Sequence, residues 1–159
     1  MELNEETLTA IAKNDNFKDK ELLKELAILF EGRPDVLHFL YLYGEYCECM
    51  DDLVDEGNSP ERVDKSGQLR MELGQTTYWL KHSHYLWLVE RLIHNTYFDT
   101  VKWEGAEEEW KRRDAKALSH CAYNMLFSVI LLEFGYDKLR ELSERFRTHA
   151  HERHLHDTV

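Results

Sequence analysis

Chain breakers and covalent staples are scarce in this sequence. Two prolines and seven glycines in 159 residues leave room only for few, long elements. The three cysteines, Cys47, Cys49 and Cys121, are odd in number and follow no disulfide-framework spacing. On a helix Cys47 and Cys49 would point about 200° apart, so they cannot share a metal there. Reduced thiols in a reducing compartment are expected. No apolar run approaches the ~18 residues of a membrane span. There is no strand-period run and no repeat of a solenoid period. A Gly-rich phosphate loop, a Ser or Cys nucleophile motif and the Glu-x-x-His pair of di-iron bundles are all missing. The first residues, MELNEETLTA, are acidic and carry no secretory pattern. A cytoplasmic protein without a membrane partner is expected.

Positive charge is also short. Lys and Arg number 20 against 31 Asp and Glu, for a net charge of −11. Residues 1–66 hold 17 acids and 7 bases, a balance of −10; residues 67–159 hold 14 and 13, a balance of −1. General binding to nucleic acid draws its affinity from Lys and Arg on phosphates, so the acidic front half argues against it and no nucleic-acid partner is expected. Cations or a basic protein partner fit the acidic front half.

Apolar residues, at 43%, are plentiful enough for a real core. Glu5–Lys13 is expected as a short helix, broken at Asn14-Asp15-Asn16. Lys18–Glu31 follows, ended by Gly32; Pro34 then suits the first turn of a helix reaching Glu56 and stopped by Gly57. In that helix Val36, Leu40, Tyr43, Cys47, Met50 and Val54 form an apolar stripe. Ser59 caps a short helix from Pro60. Two long helices are then expected, Gln68–Phe98 with a bend at Gly74, and Ala106–Phe134, with a loop at 99–105 between them. Gly135 ends the second, and Asp137 caps the last helix, Lys138 to about His154. The expected fold class is all-α: one domain over 1–159, a bundle of about five to seven helices with two long, central, mostly buried ones. Residues 1–16 would be the short helix and break, and 150–159 a frayed His-rich tail.

The two long helices are apolar nearly all round, which marks central helices. Leu80, Trp87, Leu88, Leu126, Val129 and Ile130 are therefore expected in the core. Their polar residues become informative. His84, Arg91 and His94 fall within about 80° on the helical wheel, with Asn95 and Glu90 flanking. His120, Asn124 and Ser128 follow i, i+4, i+8 spacing. Buried polar groups need partners, so the stripes read either as a satisfied network or as a ligand cleft.

The second helix ends in EYCECMDDLVDEG, with Glu48, Asp51 and Asp55 within about 60° of one another and Asp52 nearby. Like charges at helical spacing repel, and the negative C-terminal end adds to the cost. A counter-ion is expected, either an Arg from a neighbouring helix or a hard cation such as Mg²⁺ or Mn²⁺. Asp51-Asp52-Leu53-Val54-Asp55 resembles the first aspartate-rich motif, DDxxD, of the isoprenyl diphosphate synthases, which implies diphosphate binding through Mg²⁺; no second such motif follows. Glu45-x-x-Glu48 with Asp52-x-x-Asp55 is similar to the ExxE and ExxD pairs of the all-α nucleotide pyrophosphohydrolases, although here both lie on one helix.

Two functional expectations result. One is a small divalent-metal-dependent enzyme acting on a phosphate or diphosphate compound, with a nucleotide among the candidates. Glu48, Asp51, Asp52 and Asp55 would hold Mg²⁺ or Mn²⁺, and His84 and His94 would serve as acid and base. Arg91, Asn95, His120 and Asn124 would bind the substrate. The other is a non-catalytic helical interaction protein whose acidic face binds a basic partner. Either allows a homo-oligomer.

Overall fold

A computed structural model describes the backbone of residues 20–157 and the side chains of residues 21–151. The helix expected at Glu5–Lys13 and the side chains of His154 and His156 lie outside them. Among the described residues the protein is all-α, with seven helices and no strand. They are α1 (Lys20–Leu29), α2 (Pro34–Asp55), α3 (Pro60–Gln75), α4 (Thr77–Glu104), α5 (Glu109–Leu118), α6 (Tyr123–Phe134) and α7 (Tyr136–Asp157). The chain divides into two compact units between Ser83 and His84, inside α4.

In the first unit α2 is the most enclosed helix. Val36, Leu37, Phe39, Leu40, Leu42, Tyr43, Tyr46 and Cys49 are all buried, an arc wider than the expected stripe. Met50 is only half-buried and Val54 is exposed, because α2 leaves the core at its C-terminal end. Phe39 is its centre, with ring centroids 5.5 Å from Tyr78 and 6.2 Å from Trp79. Phe30, just past α1, and Leu73 of α3 are buried in the same unit. Gly32 and Gly57 stop their helices at φ of 78° and 85°, a region that favours glycine. Ser59 Oγ accepts from the Arg62 N–H at 3.2 Å and starts α3 as expected.

The boundaries of the long helices differ from expectation. The helix foreseen over Gln68–Phe98 is two helices parted at Thr76, and its break is not at Gly74. Thr76 takes extended backbone angles; its hydroxyl donates to the Leu73 carbonyl at 2.8 Å and accepts from the Trp79 N–H at 3.3 Å. One side chain thus ends α3 and caps α4. The loop foreseen at 99–105 is mostly helix, since α4 continues to Glu104. Thr100 is buried there, and the Trp103 ring packs edge-on against Trp110 of α5 at 5.6 Å.

The helix foreseen over Ala106–Phe134 is also two helices, α5 and α6, bent by 42°. Between them the N–H groups of Ser119, Cys121, Tyr123, Asn124 and Met125 bond three residues back. Ser119 Oγ also donates to the Lys116 carbonyl at 2.7 Å. These tighter bonds replace the α ladder for about one turn. Among the described residues no single helix is long and apolar enough to cross a membrane; α5 and α6 pass that test only as a bent pair.

The second unit's core joins Leu86 and Ile93 of α4, Met125, Leu126, Val129 and Ile130 of α6, and Leu142, Phe146 and Ala150 of α7. The Cys121 thiol reaches the Ile93 carbonyl at 3.8 Å. Gly135 alone joins α6 to α7, at φ 88° and ψ 178°. Asp137 lies in the first turn of α7 instead of capping it, and the helix takes in residues 150–157 of the His-rich tail.

Candidate functional site

Leu126, Val129 and Ile130 are in the core, but Leu80, Trp87 and Leu88 are not. They are 66%, 54% and 56% exposed. The side of α4 that turns inward carries Leu86, Glu90 and Ile93. A helix that is apolar on every side does not declare which side its neighbours cover. Only one arc of α4 is covered within its unit.

The polar stripe of α4 follows its outward face. His84, Arg91 and Asn95 are exposed, and His94 is half-buried. The charged residue that α4 buries in this unit is Glu90, at 5% exposure, next to the exposed Arg91. His84 sits edge-on to the Tyr85 ring at 5.5 Å. The Arg91 guanidinium lies 5.7 Å from the centre of the Trp87 ring, within the range of a cation–π contact. Arg91 makes no hydrogen bond or ion pair to another described residue. On the same helix stand exposed Leu88, Leu92 and, three turns on from Trp87, Phe98 at 78% exposure.

The second stripe is also outside. Asn124 is exposed. Ser128 spends its hydroxyl on the Asn124 carbonyl at 2.7 Å within the same helix. His120 lies in the turn before α6, half-buried. A shared buried polar interior built from the two stripes is therefore not what these residues form, since none of them is buried.

The acidic residues belong to the first unit. Asp51 and Asp55 are exposed, and Glu48 and Asp52 are half-buried. The bases of α3 meet their neighbours Glu56 and Glu45. Arg62 pairs with Glu56 at 2.5 Å and donates to the carbonyls of Glu56 and Gly57 at 3.2 and 3.0 Å. A guanidinium at the negative end of α2 complements its dipole. Glu45 is pushed above the usual carboxylate range, first by burial and further by Glu48, while the Lys65 ammonium pulls the other way. Among the described residues no three of His, Cys, Asp and Glu are grouped so as to hold a metal ion. The acids and the Arg91 face lie in different units of the chain.

An open groove of about 490 Å³ runs along α7, lined by Arg140, Ser143, Arg147 and His151 among others. Its described walls come from that single helix, and Arg147 already covers the Phe127 ring at 4.8 Å. It has the form of a surface channel and not of an enclosed site.

The outward face of α4 is the feature that sequence reasoning missed. Its signal is an apolar circumference too wide for one core stripe. That pattern fits a central helix and equally an interface helix. Comparison with protein-family models, with curated proteins and with solved structures finds no match for this chain.

Proposed function

We propose that this protein is a non-catalytic helical interaction protein that docks another protein through the outward face of α4. One observation carries the reading: Trp87, Leu88 and Leu92, all more than half exposed, accompany an Arg91 stacked on Trp87. Large contiguous apolar surface is unusual on a free monomer. Trp and Arg are also the residue types on which binding energy concentrates. The three free thiols support a reducing, cytoplasmic setting. The test is site-specific photo-crosslinking in cells expressing the chain, with a benzophenone amino acid at position 88 and a control at exposed Met71. Discrete protein adducts at 88 that are missing at 71 are expected. No adduct at 88, or the same adducts at both positions, would overturn the reading.

The acidic end of α2 carries a second reading, a metal-dependent enzyme acting on a phosphate or diphosphate compound. Its support is that Asp52 and Asp55 have no ion pair or side-chain hydrogen bond among the described residues. Those two carboxylates are open to Mg²⁺ or Mn²⁺, and Glu48 and Asp51 stand on the same end of the helix. Calorimetric titration with Mg²⁺ and Mn²⁺ decides it. Binding lost in Asp51→Asn and Asp55→Asn supports the enzyme, and no heat from either ion sinks it. A basic partner on the same acids would instead bind independently of metal and weaken with salt.

A further inference from the structure

We infer that the partner of the α4 face is an amphipathic helix with carboxylates beside its apolar stripe, one of which pairs with Arg91. The inference rests on the docking reading above and adds the partner's chemistry. Three observations lead to it.

The first is shape. The exposed apolar residues of α4 in the second unit run from Tyr85 to Phe98, between three and four helical turns or roughly 20 Å. A convex helical ridge of that length, with Leu88 and Leu92 one turn apart, matches the i, i+4 spacing of ridges on another helix.

The second is the state of Arg91. It is exposed, stacked on Trp87, and without a carboxylate among the described residues. Other arginines of the chain are engaged differently: Arg33 grips Asp35 at 3.2 Å, and Arg62 grips Glu56. A guanidinium held over an indole keeps its N–H edges free. Those edges are where a carboxylate binds through two parallel donors. Stacking also holds the group in place before binding, so less side-chain freedom is lost on association.

The third is charge. Residues 67–159 are nearly neutral, at −1. On the outward arc of α4 in this unit, Arg91 and Lys102 are exposed, and the acid on that arc, Asp99, is half-buried. The exposed face is thus apolar with a cationic edge, and its complement is apolar with an anionic edge. A second copy of α4 does not supply it. Antiparallel pairing about the middle of the exposed run sets Arg91 opposite Leu92, and parallel pairing sets Arg91 against itself; neither offers a carboxylate. An anionic bilayer offers phosphate charge too, but Arg91 and Lys102 are too few to form the basic cluster that holds a helix to anionic lipid.

The experiment is a selection on the immobilised full chain. The probe is a display library of amphipathic peptides about six turns long, each with a fixed leucine stripe. Their flanking positions are varied among Glu, Gln and Lys. Recovered peptides should be enriched in Glu at the flanks. Arg91→Gln should weaken them about tenfold or more, and Arg91→Lys less. The Gln-flanked version of a recovered peptide should bind the wild-type chain and the Arg91→Gln variant alike. Peptides that need Trp87 but show no Glu enrichment, or are indifferent to Arg91→Gln, would overturn the acidic partner and leave docking standing. Recovery of no peptide that depends on Trp87 would overturn both. Two controls carry the other occupants. Co-sedimentation with phosphatidylcholine–phosphatidylserine vesicles that is lost in Trp87→Ala would overturn the inference in favour of lipid. A sedimentation-equilibrium dimer that is lost in Leu88→Glu would do so in favour of a second copy.

Discussion

Trp87→Ala tests whether α4 turns its indole outward. The ring is 54% exposed, so about half of it is covered in the folded chain. A fully buried aromatic buries about 150–250 Å². Losing roughly 100 Å² of cover at ~25 cal/mol/Å² sets an upper bound near ~2.5 kcal/mol. The exposed cation–π contact to Arg91 adds about 0.5 kcal/mol. The better helix propensity of Ala returns about the same amount. Part of the cover is the helix's own backbone, which Ala keeps, so the expected loss is about 1–2 kcal/mol. Phe146→Ala is the comparison within the same unit, since Phe146 is 2% exposed. A buried Phe truncated to Ala costs about 3–5 kcal/mol. Urea denaturation followed by far-UV circular dichroism measures both, with the slope in urea as a check that the folded and unfolded states are unchanged. A loss for Trp87→Ala of about 3 kcal/mol or more, equal to that of Phe146→Ala, would show the indole to be buried and refute the argument.

Glu45→Gln should raise the melting temperature near neutral pH. The Glu45 carboxyl is held above its usual range by burial and by Glu48, against Lys65. Its contribution is therefore full below the unfolded carboxylate range and declines as pH rises through the folded value. Below pH ~4 wild type and variant should melt alike; a lower melting temperature at neutral pH would contradict this. Ser59→Ala removes the acceptor of the Arg62 N–H and should cost about 1 kcal/mol in chemical denaturation. Gly135→Ala places a side chain at φ 88° and ψ 178°, a region nearly reserved for glycine, and should cost about 1–3 kcal/mol. A neutral result at Gly135 would mean that the junction takes other backbone angles.

The stops are the most readable part of the sequence. Gly32, Gly57 and Gly135 all adopt positive φ, as residues past the end of a helix do. Pro34 and Ser59 open helices because a missing N–H and a side-chain oxygen suit a first turn. Thr76 and Ser119 are not readable as breaks. Threonine and serine inside a run of helical period are compatible with a helix until their hydroxyls find a carbonyl three residues back. The outward turn of Trp87 is hidden for a different reason. Period tells which residues share an arc, but an arc is chosen by neighbours, and α4 offers apolar residues on every side. Glu90 is the sharpest case: it is an acid at 5% exposure beside an exposed Arg91, and no spacing rule separates the two. The acids of α2 are legible as a cluster. Their basic neighbours Arg62 and Lys65 stand on the next helix, and only the way α3 folds back along α2 brings them near.

Only Gly135 stands between α6 and α7, which pack against each other. Loop-closure entropy grows with the logarithm of the chain enclosed, and here almost none is enclosed. The contacts of this pair thus bring together residues close in sequence, the class that lowers contact order and speeds folding. Helix formation takes about a microsecond or less, so the two helices can meet nearly as fast as they form. The hairpin of α6 and α7 is in that sense the unit's early template, onto which α4 must later lay the Leu86 and Ile93 side of its circumference.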